Sequence, residues 1–554
     1  MKLNLDIIAS YSASQIADSV RAGDVKAKDV LIAMRKNAEE SNKYNCVVQF
    51  LDEYSFKMAE RIDEQIAQGV AFAKEDYPLL GIPISVKDCF SIKGYESTMG
   101  LAKFKGIINE KTHPLIDALE KSGAIPFCTT HVSQFMATLS STNSHGTTFN
   151  PYSYNYTAGG SSSGEGALIG SNGSILGVGG DVGGSIRIPS AFCGIYGLKP
   201  TPKRLNEIGD RELKLGQESV VATIGPMASH VQDLDLMIRA ALNKRPWEIS
   251  HSVVPIPYRE VTLPKKLRIG YYLDDEIYPA TPAVERAVMM TVEALKAAGH
   301  DVFPYQEPAL RGSSALYIKI DNLDKSQPKF EMLQSSDKMT IEMNKLSTLH
   351  KLPKWAVWLY TLVFDRYLGE KELANAMWEA ATGDTNTVFE INHQKENLEK
   401  RHFEAWNNAV DESGIPMDFV ICPISVLPSF KHNTFIDLAM LYGSSFLYNI
   451  LGNTTGIIPV SRVNRKIDGI EDLDAWLKSK VSKDYNGKFY THKNAYSQYN
   501  ASKMHGLPVA IQVVGRKFEE EKVAKGMELI DKILKEYDQP NKYTTYSQYQ
   551  KENY

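Results

Sequence analysis

Thirteen of the chain's 38 glycines fall between Gly159 and Pro200. That density rules out one continuous amphipathic helix through the window and demands tight backbone turns instead. The run begins Gly159-Gly160-Ser161-Ser162-Ser163-Gly164 and resumes as Gly179-Gly180-Asp181-Val182-Gly183-Gly184-Ser185-Ile186-Arg187. Between the two halves, Glu165 to Gly170 predicts a short helix. Apolar residues (Ala167, Leu168, Ile169, Ile175 and Leu176) are interleaved with the glycines, so the stretch is no flexible linker. Successive backbone N–H groups in such turns form an anion-binding nest. Beside a hydroxyl nucleophile, such a nest stabilises charge that develops only in the transition state.

Two familiar glycine-rich motifs fail here. A phosphate-binding P-loop needs a Gly-Lys-Ser or Gly-Lys-Thr after its glycines, and none follows. Gly160-Ser161-Ser162-Ser163-Gly164 satisfies G-x-S-x-G, the nucleophile elbow of α/β-hydrolases, but that elbow needs a strand immediately before it. Asn150 to Asn155 reads as polar and turn-like instead.

Around this window the chain alternates strand and helix signals. Leu79 to Asp88 and Gly123 to Cys128 predict short buried strands, with a helix through Leu115, Ile116 and Leu119 between them. Leu267–Leu273, Asp301–Phe303, Met417–Pro423 and Val509–Val514 predict further strands. Pro282–Ala298 and Glu519–Lys535 predict helices. Ser12 and Gln15 form a capping box ahead of an N-terminal helix. The chain's 554 residues exceed one ordinary domain. Strand signals near both ends nevertheless favour a single α/β unit with insertions over separable domains. The expected layout is an N-terminal helical region over 1–75 packed on a main domain over 76–554, with its core at 81–230. A helical, aromatic insertion is expected at about 310–415 and a polar surface insertion at about 464–503.

Composition narrows the function. The 62 Lys and Arg against 66 Asp and Glu leave a net charge of −4. That balance offers no basic field for nucleic acid. Cys46, Cys89, Cys128, Cys193 and Cys422 are widely spaced, without a C-x-x-C pair, which argues against a disulfide framework or a thiolate zinc site. They read as small buried hydrophobes. The twelve histidines form no H-E-x-x-H, so no metal site is expected; His131 and His145 flank the segment around Met136 and read as structural. Met1 to Asp6 shows no secretory h-region, and Trp355 to Phe364 is too short to span a bilayer. A cytoplasmic location is the expectation.

The glycine–serine run closely resembles the amidase signature family of serine hydrolases. The resemblance rests on Gly-Gly-Ser-Ser-x-Gly from Gly159, Asp-x-Gly-Gly-Ser-Ile-Arg-x-Pro from Asp181, and Gly194-Ile195-Tyr196-Gly197-Leu198-Lys199-Pro200-Thr201. It extends upstream to Gly81–Asp88 and downstream to Gly225-Pro226-Met227 and Gly506–Gln512. Glu165–Gly170 and Ser190–Gly194 are most similar to the fatty acid amide hydrolase and fungal acetamidase branch. Ser163 departs from the pattern, since many members carry glycine there.

The resemblance implies an α/β amidase-signature fold: a large central mixed, mostly parallel sheet covered by helices on both faces. It implies a Ser–cis-Ser–Lys triad, with Ser185 as acyl-forming nucleophile, Ser161 as bridging serine and Lys87 as general base. The oxyanion hole falls on the N–H groups of Val182, Gly183, Gly184 and Ser185. Ser162, Asp181 and Arg187 are supporting positions, and the backbone of Met136 lies beside the substrate. No cofactor is implied. A lysine works as a base only when neutral, and its reference pKa is near 10.4. Burial lowers that value, and Lys87 closes an apolar strand where burial is expected.

The expected activity is hydrolysis of carboxylic acid amides to the acid and ammonia or an amine. Long-chain acyl amides are the alternative substrates. A glutaminase subunit of a tRNA-dependent amidotransferase and a non-catalytic binding protein are the competing functions. The resemblance is compatible with a homodimer and with weak contact at a membrane surface. The aromatic stretch Leu352–Tyr360 reads as a helix packed on the core rather than a channel wall, because aromatic stripes usually pack inward.

Overall fold

The computed structural model describes residues 3–205, 216–485, 487–537 and 543–553. Met1 and Lys2, the start of the N-terminal stretch read above, and Asn486 of the polar insertion lie outside the described residues.

Eleven strands form one sheet. In chain order they are β1 (Val47–Phe50), β2 (Ile82–Lys87), β3 (Ala124–Thr130), β4 (Leu176–Asp181), β5 (Tyr196–Lys199), β6 (Thr223–Ala228), β7 (Arg268–Tyr271), β8 (Asp301–Pro304), β9 (Phe419–Cys422), β10 (Thr455–Arg462) and β11 (Pro508–Val514). Their spatial order is β1-β3-β2-β4-β6-β5-β10-β11-β9-β7-β8. Strands β2, β3, β4, β6 and β11 are buried along their whole length, so both faces are covered. The otherwise helical N-terminal region contributes β1, an edge strand paired with β3.

The sheet is mixed, but the expected parallel majority is corrected: six of its ten neighbouring pairs are antiparallel. The reason lies at the centre. A helix (Arg187–Cys193) joins β4 to β5, and those two strands run the same way, as helix–strand alternation suggests. They are not neighbours, because β6 inserts between them and runs opposite to both. Strands β10 and β11 continue the antiparallel pattern. Parallel pairing is confined to β3-β2-β4 and β9-β7-β8.

The predicted elements at Leu79–Asp88, Gly123–Cys128, Pro282–Ala298 and Val509–Val514 form close to the expected limits. Ser12 and Gln15 close their capping box. Between β8 and β9 the chain forms helices at Ser313–Asn322, Ile341–Lys351, Lys354–Leu362, Lys371–Thr382 and Thr385–Asn408. All five cysteines are free and buried.

Candidate active site

Lys87 is the last residue of β2 and is buried, where its ammonium is costly. Its Nζ donates to Ser161 Oγ at 2.9 Å and to the Gly180 carbonyl at 3.2 Å. Burial lowers the Lys87 pKa from its ordinary value, while Cys89, Asp181 and Glu165 pull it back up. Ser161 follows a cis peptide bond from Gly160. Its carbonyl accepts the Ser133 N–H at 3.3 Å, which ties it to the segment holding Met136.

Ser185 lies in the turn between β4 and the helix Arg187–Cys193, and its carbonyl accepts the Ser162 N–H at 3.2 Å. The turn is shaped by Asp181 at the end of β4. Asp181 Oδ1 accepts the Gly184 N–H at 2.8 Å and Oδ2 the Ile186 N–H at 3.2 Å. Arg187 grips the same carboxylate through Nε at 3.0 Å and Nη2 at 3.1 Å. Burial alone would raise the Asp181 pKa, but the Arg187 guanidinium outweighs it and holds the carboxyl well below the usual carboxylate range. Arg187 is in turn bound by Gln512 Oε1 at 2.7 Å, the Ser445 carbonyl at 3.1 Å and Asn449 Oδ1. The entire ion pair is inaccessible to water. It is a rigid support, built for geometry rather than for titration.

One cavity of about 1040 Å³ brings the predicted residues together. Lys87, Met136, Ser161, Val182, Gly183 and Ser185 all line it. Gly184, at a backbone φ of 127°, donates its N–H to Asp181 Oδ1. Ser162 is turned away: it is fully buried, and its hydroxyl faces the Gly180 backbone at 3.4 Å. A short strand, Ser153–Thr157, does precede this serine, contrary to the turn expected there. It pairs in a two-stranded ribbon and through an isolated bridge from Tyr156 to Lys431, outside the main sheet, so no nucleophile elbow forms.

Sequence reasoning missed the far wall. Tyr317 and Phe446 stack face to face, with centroids 4.0 Å apart and planes 3° apart, against Gly183. Ser445 Oγ donates to the Gly183 carbonyl at 2.7 Å. These residues come from helices more than a hundred positions downstream, and no local motif marks them.

The aromatic stretch also differs from the reading above. Only Val357 and Thr361 of the helix Lys354–Leu362 are buried. Trp355 is 67% exposed, Trp358 52% and Tyr367 72%. Tyr360 and Phe364 line the cavity instead. A run of aromatics carries no periodic signature that separates a core stripe from a cavity wall, which is why the pattern misled.

Residues 29–524 match the Amidase family profile, which spans most of the chain. The chain belongs to the amidase family. It is 29% identical to an acetamidase of Emericella nidulans, over 95% of this chain and 90% of that one. It is 30% identical to fatty-acid amide hydrolase 1 of Sus scrofa, over 97% and 88%. A solved fatty acid amide hydrolase superposes with a TM-score of 0.79 at 27% identity, covering 96% of this chain and 87% of its own. This amidase is therefore a hydrolase acting on amide C–N bonds, of acetamidase and fatty-acid amide hydrolase type. Among its described residues, no helix is long and apolar enough to cross a membrane.

Proposed function

We propose that this amidase cleaves carboxylic acid amides through an acyl-enzyme on Ser185, with Ser161 as proton bridge and Lys87 as general base. The observation that carries this is the 2.9 Å contact of the buried Lys87 amine with Ser161 Oγ, in a cavity that Ser185 also lines. Neutral Lys87 takes the Ser161 proton while Ser161 takes that of Ser185, and the Ser185 oxygen attacks the amide carbonyl. The N–H groups of Val182, Gly183 and Ser185 are the candidates to receive the oxyanion. Running the relay in reverse protonates the leaving nitrogen, which otherwise departs as a very poor amide anion. Water then repeats the cycle on the acyl ester.

The cavity favours bulky apolar acyl groups over acetamide. Its volume sits at the upper end for small-molecule sites, and its walls include Phe135, Leu349, Leu352, Phe364, Met377 and Phe435. Exposed Trp355, Trp358 and Tyr367 beside it suit weak contact with a lipid surface, which would concentrate such substrates. A fluorophosphonate probe tests the nucleophile. It is expected to label Ser185 and to leave Ser185→Ala unlabelled and inactive; labelling at Ser162 would refute the assignment. Ammonia release from amides ranging from acetamide to oleamide tests the acyl preference.

A further inference from the structure

Glu165 has no part in the reaction as set out above, although it lies only four residues beyond Ser161. It occupies the first turn of the helix Ser163–Gly170 and is completely buried. Its carboxyl accepts Ser85 Oγ–H at 2.6 Å and Thr130 Oγ1–H at 2.8 Å. Both hydroxyls frame Lys87. Ser85 precedes Lys87 by two residues on β2, so their side chains share one face of the sheet. Thr130 is the residue of β3 opposite Lys87. Space is made by Gly177, the partner of Ser85 on β4, where a Cβ would fall 1.9 Å from Glu165 Oε2.

A carboxyl group is an expensive filler for such a place, since hydroxyl donors alone do not offset a buried charge. Among the described residues no arginine or lysine lies within hydrogen-bonding distance of it. The charged and titratable groups around Lys87 are Asp88 and Cys89 on its own segment, Asp181 from β4 and Glu165 from the helix; Asp88 is engaged by Thr98 and Met99. Asp181 is matched by Arg187. The thiols near Glu165 (Cys46, Cys89 and Cys128) are all pushed up by burial and stay neutral. Lys87 and Glu165 are left as complementary groups on one face. Burial raises the Glu165 pKa to about 7 and lowers that of Lys87, while each group's charge favours the charged form of the other.

We infer that Glu165 is a positioning residue for the general base: its carboxylate, held by Ser85 and Thr130 on the strands that carry and face Lys87, favours the protonated amine and so sets the pH at which Lys87 becomes competent. With Glu165 protonated, Lys87 gives up its own proton more readily, keeps its lone pair and is competent. With Glu165 ionised, the ammonium form of Lys87 is favoured and the base is blocked until that proton leaves. This rests on Lys87 acting as the base, and the test separates the two claims.

The test is the pH dependence of fluorophosphonate labelling at Ser185 in the full-length protein, for wild type, Lys87→Ala, Glu165→Gln and Thr130→Val. Lys87→Ala is expected to lose the acid limb together with most labelling; an acid limb that survives in it refutes the base assignment itself. Given that loss, Glu165→Gln is expected to move the limb to lower pH by about one unit, because the anion that holds the proton on Lys87 is gone. Thr130→Val, which removes one donor to the carboxylate, should move it the same way by less, and serves if Glu165→Gln fails to fold. A mere packing role would lower the labelling rate or the melting temperature and leave the limb in place. An unmoved limb in a folded Glu165→Gln, or in Thr130→Val where the first is unfolded, overturns the proposal.

Discussion

Lys87 Nζ lies 2.9 Å from Ser161 Oγ, and the only other acceptor within its hydrogen-bonding reach among the described residues is the Gly180 carbonyl. A carbonyl cannot lend a proton, so any proton this amine takes from a neighbour within that reach comes from Ser161. The contact gives the site a direction: amine, hydroxyl, cavity.

That direction sets a pH dependence. Burial is the main cause holding the Lys87 pKa below its ordinary value, and the competent base is the neutral form. Activity is therefore full above the folded-state pKa and falls as pH drops through it. The stability sign follows separately. The unfolded lysine binds a proton more readily than the native one, so Lys87 opposes folding at low pH and its penalty fades as pH rises toward the ordinary lysine value. Profiles of kcat and kcat/KM against pH check the first statement; profiles with no acid limb down to the onset of acid unfolding would contradict it. Urea unfolding of wild type and Lys87→Met against pH checks the second, with the stability gain of the variant expected to shrink as pH rises.

Asp181→Ala should cost far more than a typical surface change. It strands the Arg187 guanidinium in the core and frees the N–H groups of Gly184 and Ile186. Breaking a buried pair from one side costs about 3–5 kcal/mol. Because the Asp181 pKa is depressed, its stabilisation is complete above the unfolded value and disappears as pH falls through the folded one. The urea midpoint of wild type and variant at pH 7 and in acid measures both effects. The gap should be wide at pH 7 and should narrow in acid.

Gly183→Ala tests whether the backbone beneath Ser185 is held by its aromatic wall. A Cβ there would meet the Tyr317 hydroxyl at 2.4 Å and its Cζ at 2.8 Å. The Tyr317 ring is stacked on Phe446 and cannot swing aside cheaply. The turn must shift instead, and misplacing reacting groups by about 1 Å can cost on the order of 100-fold in rate. The loss should appear in kcat. Adding Tyr317→Ala should recover part of it, a coupling that a double-mutant cycle reads directly.

The parts of the site that were legible in sequence share a physical cause, and so do those that were not. Lys87, Ser161, Asp181, Ser185 and Arg187 sit on short segments whose turns need glycines or a fixed ion pair, so the motif is local. Strands β2 and β3 announce themselves as apolar runs opened by Gly81 and Gly123. Strand β4, Leu176–Asp181, does not: glycines at 177, 179 and 180 argue against a strand by propensity. At Gly177 and Gly179 neighbours press in, with Met227 Sδ 2.7 Å from where a Gly179 Cβ would be. Tyr317, Ser445, Asn449 and Gln512 reach the site only through tertiary packing. The antiparallel centre of the sheet was equally hidden, since inserting β6 between β4 and β5 leaves no trace in local patterning.

Acyl preference can be moved from the wall. Leu349, on the helix Ile341–Lys351, is half-buried and faces the cavity. Leu349→Trp fills part of the apolar volume without touching Lys87, Ser161 or Ser185. If long acyl chains occupy that volume, the variant loses contact area or meets a clash with oleamide but not with acetamide. Displacing one or two methylenes from an apolar pocket is worth about 1–3 kcal/mol, or roughly 10–200-fold. The loss should fall mainly on KM for oleamide, because the chain binds alike in ground and transition states. Acetamide turnover should stay near wild type. Equal losses on both amides would place the acyl chain elsewhere or show that the substitution disturbs the catalytic groups, and a matching loss in fluorophosphonate labelling identifies the latter.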